Sequence, residues 1–228
     1  MKTVLFACRM LEEEVTAVLR ESKTAAEIEW FEKGLHNSPD RLRGELQRRI
    51  DALPDDVDRI LLTFGYCGGC LVGLHSRATI VIPRVDDCIT LLLGSFSRRL
   101  TFSNHGSGTY FLTNAWMDSD HSIASEYDYA IRRYGETAGR QIFNLMFHNY
   151  SVVTLLDTGL SPLEDARRKS EEIADALGLD FKIVPATLDY LRELVHGPWP
   201  KERYVVLSPG RSLTASEACT IMNEGRNL

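Results

Sequence analysis

Short apolar runs alternate with amphipathic helical stretches along this chain, and that alternation constrains the fold more than any other feature. VLFA at 4–7, EIEWF at 27–31, RILLTF at 59–64 and TIVIP at 79–83 are short, rich in β-branched or aromatic residues, and end in turn-prone residues. Between the first three lie LEEEVTAVLRES, with Leu11, Val15, Val18 and Leu19 at helical spacing, and SPDRLRGELQRRIDAL, which opens with Ser38 as N-cap and Pro39 at the first helical position. Strands alternating with helices imply a parallel sheet, since neighbouring parallel strands are joined by crossover helices.

The rhythm continues after residue 100. GTYFLT, SVVTLLDTG, FKIVPA and YVVLSPG read as strands. EYDYAIRRYGETAGRQIFNLMF, PLEDARRKSEEIADALG and TLDYLRELVHG read as helices between them, the second opening at Pro162 and closing at Gly178. The Gly/Ser/Asn turn at 103–108 marks a boundary. The expectation is an α/β protein of two successive Rossmann-like parallel-sheet lobes, residues 1–100 and 101–228, with a cleft at the strand carboxyl ends.

In a parallel sheet, ligands bind outside those carboxyl ends. Cys8, His36, Cys67 and Cys88 each follow a different one of the first four strands. Thiolates and a neutral imidazole are the ligands of zinc, and of iron–sulfur clusters when thiolates dominate. Gly68 and its neighbours in GYCGGC let the backbone turn tightly and bring Cys67 and adjacent N–H groups close to an ion or ligand. Each cysteine alone could be core filler, since free cysteine is among the most buried residue types. Four strand ends at once point instead to a site. The pair Cys67 and Cys70 also fits a redox motif, half a zinc site or a cluster site.

Other residues have competing roles. His36 stands just before a helix and is either a ligand, an acid/base or a local hydrogen-bonding group. Asp87 can cap the helix that follows, with capping the plainer role, or act as a base; Asp86 shares the choice. Arg9 and Arg84 can balance thiolate or substrate charge. Asn149 and Tyr150, before the strand at 151–157, and Thr113 are expected to cap and pack, with contact to a cofactor from the second lobe as the alternative. His75, His105, His121, His148, His196 and Cys219 read as structural or solvated. Asp118, Asp120 and His121 do not form the D-x-H-x-x-G pattern of a corrinoid lower-ligand site.

Composition excludes some functions. A formal net charge of −6 argues against sequence-independent nucleic-acid binding, which needs Lys and Arg on phosphates. No apolar run reaches the roughly 18 residues of a membrane span. The N-terminus lacks a signal-type apolar region, and five cysteines is an odd number, so a cytoplasmic chain without disulfides is expected.

ACRML at 7–11, LHNSPDRL at 35–42, GYCGG at 65–69, IPRVDDCITLLLGS at 82–95 and GTYFLT at 108–113 resemble the bacterial and archaeal family called domain of unknown function 1638, over about residues 3–210. The resemblance implies a setting beside corrinoid-dependent methyltransferase systems. It maps the family's recurring cysteines and histidine onto Cys8, His36, Cys67 and Cys88, and leaves Cys70 as an extra. The expectation is a zinc or iron enzyme of one-carbon transfer acting on a small molecule or a corrinoid protein. An iron–sulfur accessory protein and a non-catalytic metal carrier are the alternatives.

Overall fold

The structure is a computed structural model that describes residues 1–22, 24–102, 108–117 and 123–218. The turn at 103–107 with His105, the segment holding Asp118, Asp120 and His121, and Cys219 lie outside the described residues. Clustering of contacts divides the chain into a unit of Met1–Ser97 with Thr187–Leu228 and a unit of Arg98–Ala186.

The first unit carries a five-stranded sheet in the order β2-β1-β3-β4-β8. Its strands are β1 (Lys2–Cys8), β2 (Ala26–Phe31), β3 (Val57–Leu62), β4 (Thr79–Pro83) and β8 (Tyr204–Leu207). The first four run parallel, with Val4 opposite Glu27 and Ile60, and Leu61 opposite Val81. Both faces are covered. Alternate residues Val4, Phe6, Ile60, Leu62, Ile80 and Ile82 pack with Leu42, Leu46 and Ile50 of α2 (Pro39–Asp51), each buried side chain contributing about 2 kcal/mol. Leu5, Leu61 and Val81 point to the opposite face and are equally buried. There α1 (Glu12–Glu21) lies against β1 and α9 (Asp189–His196), while α9 also contacts β4 and α3 (Cys88–Leu93).

One strand departs from the sequence expectation. The sequence pattern puts YVVL in the second lobe, but β8 pairs antiparallel with β4, Val81 opposite Val206, so the chain from Thr187 onward belongs with the first unit. Periodicity marks a strand without naming its neighbour. Pairing covers the β4 edge that would otherwise expose unpaired N–H and C=O groups.

The second unit holds β5 (Gly108–Leu112), β6 (Tyr150–Asp157) and β7 (Asp180–Pro185) in an all-parallel sheet of that order. α4 (Phe96–Phe102) leads the chain into it, and α5 (Asn114–Met117), α6 (Ile123–Tyr134), α7 (Glu136–Phe147) and α8 (Glu164–Leu177) complete it. The long helix expected over 126–147 is broken between α6 and α7. Gly135 at φ 80° and ψ 162° leaves the helical region there. α8 starts two residues beyond Pro162 and stops at Gly178, whose φ of 66° forms the left-handed cap. No helix among the described residues is long and apolar enough to cross a membrane.

Candidate metal centre

The strand order of the first unit creates a topological switch point. From β1 the chain steps to β2 on one side, then crosses back to β3 on the other, so the connections leave the β1/β3 boundary in opposite directions. Switch points of this kind are where open α/β sheets commonly bind ligands. Across that edge, in spatial order, stand His36 after β2, Cys8 ending β1, Cys67 after β3 and Cys88 after β4. Cys8 and Cys67 follow β1 and β3, the two strands at the switch point.

Local structure holds each donor there. The Cys8 N–H donates to Oγ1 of the buried Thr63 at 3.3 Å, tying the end of β1 to the chain leaving β3. Beyond β3, the Tyr66 N–H donates to the Val85 carbonyl at 2.8 Å and the Cys67 N–H to the Asp86 carbonyl at 2.7 Å. The two loops are laced together, which brings Cys67 toward Cys88. Gly65 makes the lacing possible, since a Cβ there would stand 2.7 Å from the Asp87 nitrogen. Cys67 is the one non-glycine residue with positive φ among the described residues, at 41°. A bulky residue in that region is strained, and strain of this kind concentrates at functional sites. Gly68, at φ 71°, passes so close to α2 that a Cβ would meet Pro39 Cγ at 2.8 Å.

Cys88 begins α3. Asp87 is its N-cap, with Oδ1 accepting from the Thr90 N–H at 2.9 Å, so the capping role read from the sequence is the one the structure gives Asp87. His36 lies in a single 3₁₀ turn, Leu35–Asn37, entered through Gly34 at φ 81°.

Burial drives these groups toward their neutral forms. It raises the Cys8 thiol, with a smaller opposing pull from a main-chain N–H near Met10 and from Lys33. The Cys67 thiol is raised first by its hydrogen bond with Cys70, then by burial and by the charges of Cys70, Cys88 and Asp87. Burial raises Cys88 well above the ordinary thiol range, helped by Asp87, Cys8 and Glu14. It lowers the His36 imidazole, against which Asp87 pulls upward. Cys8 thus acts on Cys88, Cys88 on Cys67 and Asp87 on His36. Among the described residues, no three His, Cys, Asp or Glu side chains stand together as in a formed metal centre.

Cys70, left as an extra by the resemblance, is fully buried in the core and hydrogen-bonded to Cys67. The residue that sequence reading missed is Glu14. Its carboxyl is 3% exposed, its Oε2 has no hydrogen-bond partner, and burial lifts it to about 7. A signal was present: Leu11, Glu14, Val15 and Val18 fall at i, i+3, i+4 and i+7, which puts Glu14 inside the apolar stripe.

Other candidates are committed elsewhere. Arg9 pairs with Glu12 at 2.8 Å and with Glu32 at 3.5 Å. Arg84 donates to the Tyr204 carbonyl at 3.4 Å. His75, His148 and His196 each set Nδ1 against a nearby main-chain carbonyl. Asn149 and Tyr150 lie in the second unit, at the amino end of β6, where the Tyr150 ring contacts Phe147 at 5.2 Å and Tyr110 at 5.8 Å. That end of a parallel strand is opposite the one where ligands bind.

The structure is that of an α/β protein with three cysteines and a histidine following the four parallel strands of its first sheet. The chain belongs to the family described as protein of unknown function, DUF1638, whose model matches residues 30–195. His36, Cys67 and Cys88 fall inside the matched region, and Cys8 and Glu14 precede it. No curated protein and no solved structure matches the chain.

Proposed function

We propose that the carboxyl edge of the first sheet binds zinc or iron through Cys8, Cys67 and Cys88, with His36 as fourth donor or as an acid/base beside the metal. The observation that carries this reading is the placement of three thiols and an imidazole after four adjacent parallel strands of a sheet with a topological switch point, the place where α/β sheets bind ligands. The donor set suits the group: soft sulfur with one nitrogen is the ligand chemistry of zinc and iron. The donors stand apart in this structure, so binding would draw the side chains inward on loops already laced at Cys67 and Asp86. Because burial keeps them as thiols, metal uptake would release protons.

The protein on this reading is an enzyme of corrinoid-linked methyl transfer, acting on a small methyl donor or on a corrinoid protein in the cytoplasm. That setting rests on the family resemblance. With three protein ligands, a bound metal keeps a position for substrate and supplies Lewis acidity to activate a thiol or polarise the donor heteroatom. His36, neutral near pH 7, is suited to accept a proton from a substrate thiol.

A second reading is favoured by one contact. Cys70 hydrogen-bonded to Cys67 brings the thiol count at this edge to four, the number an iron–sulfur cluster takes. The test for both is metal analysis of anaerobically purified protein, wild type against Cys67→Ser. Stoichiometric zinc or iron that is lost in the variant supports the first reading. A brown preparation with sulfide supports the cluster. Metal-free wild type, or metal content unchanged by the substitution, overturns both.

A further inference from the structure

We propose that a cleft in the second unit, between α6, α7 and α8, binds a small amphipathic zwitterion, an amino acid with an apolar side chain. The inference goes beyond the metal-binding reading and shares no residue with it.

The cleft holds about 240 Å³. Pockets for drug-sized ligands run from about 300 to 1,000 Å³, so this one suits a small metabolite rather than a nucleotide. Its walls are apolar: Tyr127 of α6 and Phe143 of α7 stand edge to face with 5.1 Å between ring centroids, and Ile173 and Leu177 of α8 line the same space. Charge enters it from two helices. On α8, Lys169 and Glu172 share one face with Ile173 and Ala176, at i, i+3, i+4 and i+7, so that face runs from charged to apolar along the helix. Asp128 on α6 brings a second carboxylate, on an exposed residue.

Both signs of charge beside aromatic and aliphatic walls match a molecule that carries both charges next to an apolar group. Lys169 meets the ligand's carboxylate, and the ligand's side chain enters between the rings and α8. Glu172 is engaged by Arg168 at 3.0 Å, so Asp128 is the carboxylate that meets the ammonium. A simple amine would face the like charge of Lys169, and a simple carboxylate those of Asp128 and Glu172. A wholly apolar ligand would leave all three charges unused.

The test titrates the full chain with L-phenylalanine, 2-phenylethylamine and 3-phenylpropanoate, which present the same ring with both charges, the cation alone and the anion alone. Binding is read by calorimetry and by saturation-transfer NMR. Asp128→Asn removes a charge while keeping the shape, and Ala176→Phe fills the cleft; circular dichroism checks that both fold. Phenylalanine should bind about tenfold more tightly than either analogue. Asp128→Asn should weaken it about fivefold, and Ala176→Phe should abolish binding. Equal binding of the three compounds, binding retained by a folded Ala176→Phe, or no binding of phenylalanine at millimolar concentration would overturn the proposal. Should Ala176→Phe fail to fold, Asp128→Asn decides alone, and unchanged affinity in that variant counts against the site.

Discussion

The two sheets grow from the same βα alternation, yet the first reverses direction and the second does not. In the first unit the order β2-β1-β3-β4 places β1 in the interior with connections departing both ways, and Cys8, His36, Cys67 and Cys88 follow its four parallel strands at that edge. In the second unit β5, β6 and β7 follow one another across the sheet. Its carboxyl edge spends its polar groups on local structure: Thr113 Oγ1 accepts from the Trp116 N–H at 3.3 Å, and Asp157 Oδ1 from the Gly159 N–H at 2.8 Å. Its core is aromatic, with Phe143 stacked on Phe147 and edge-on to Tyr127. The two sheets differ in strand order rather than in the way their strands are built.

If the first unit carries the metal site and the second does not, damage to the two should separate. Phe143, 2% exposed, lies at the centre of the aromatic core, and Phe143→Ala should cost about 4 kcal/mol by urea unfolding while native protein keeps its metal content. Loss of metal alongside would break the division. The next effect belongs to the first unit and to pH. Glu14 is lifted from its ordinary 4.5 to about 7 by burial, with Glu13 adding a smaller push, and Cys88 is the titratable group that senses it. The folded chain holds a proton that the unfolded chain releases, so stability is fully present below pH 4.5 and falls as pH rises through about 7. The loss in metal-free protein is about 3 kcal/mol, and Glu14→Gln should flatten that slope in chemical denaturation run at several pH values.

A third substitution sharpens the role of the laced loops. Gly65→Ala sets a Cβ 2.7 Å from main-chain nitrogen and should cost about 2 kcal/mol while lowering metal loading. Gly108→Ala in the second unit meets Asn149 O and Tyr150 Cδ1 only at 3.0 Å and should cost less, with loading intact. Smallest is Arg140→Ala on α7, which removes an exposed pair with Glu136 at 3.1 Å; thermal unfolding should register no more than about 0.5 kcal/mol.

Much of this was legible in the residues. The first four strands, α1, α2 and the parallel sense of the sheet followed from periodicity and from Pro39, because those signals are local. That Cys8, His36, Cys67 and Cys88 follow four adjacent strands was also readable, whereas the structure does not bring three of their side chains together. The placement of β8 did not, since nothing in YVVL says which edge is vacant. Glu14 was hidden by its neighbours: three consecutive glutamates read as a solvated acidic turn that suits the helix dipole, and only the i, i+3, i+4, i+7 spacing separates the middle of the apolar stripe from its surroundings. The hydrogen bond between Cys67 and Cys70 depends on a left-handed residue in a glycine-rich turn, and backbone conformation there is set by contacts with the next loop.

The return of β8 to β4 has a consequence for how the protein is made. A ribosome delivers β1 to β4 first, then the whole of Arg98–Ala186, and only afterwards the strand that covers β4. At ordinary translation speeds that interval is on the order of ten seconds. Throughout it the nascent chain carries an apolar strand, Thr79–Pro83, with one open edge, and that edge is where chaperone binding or intermolecular pairing would begin.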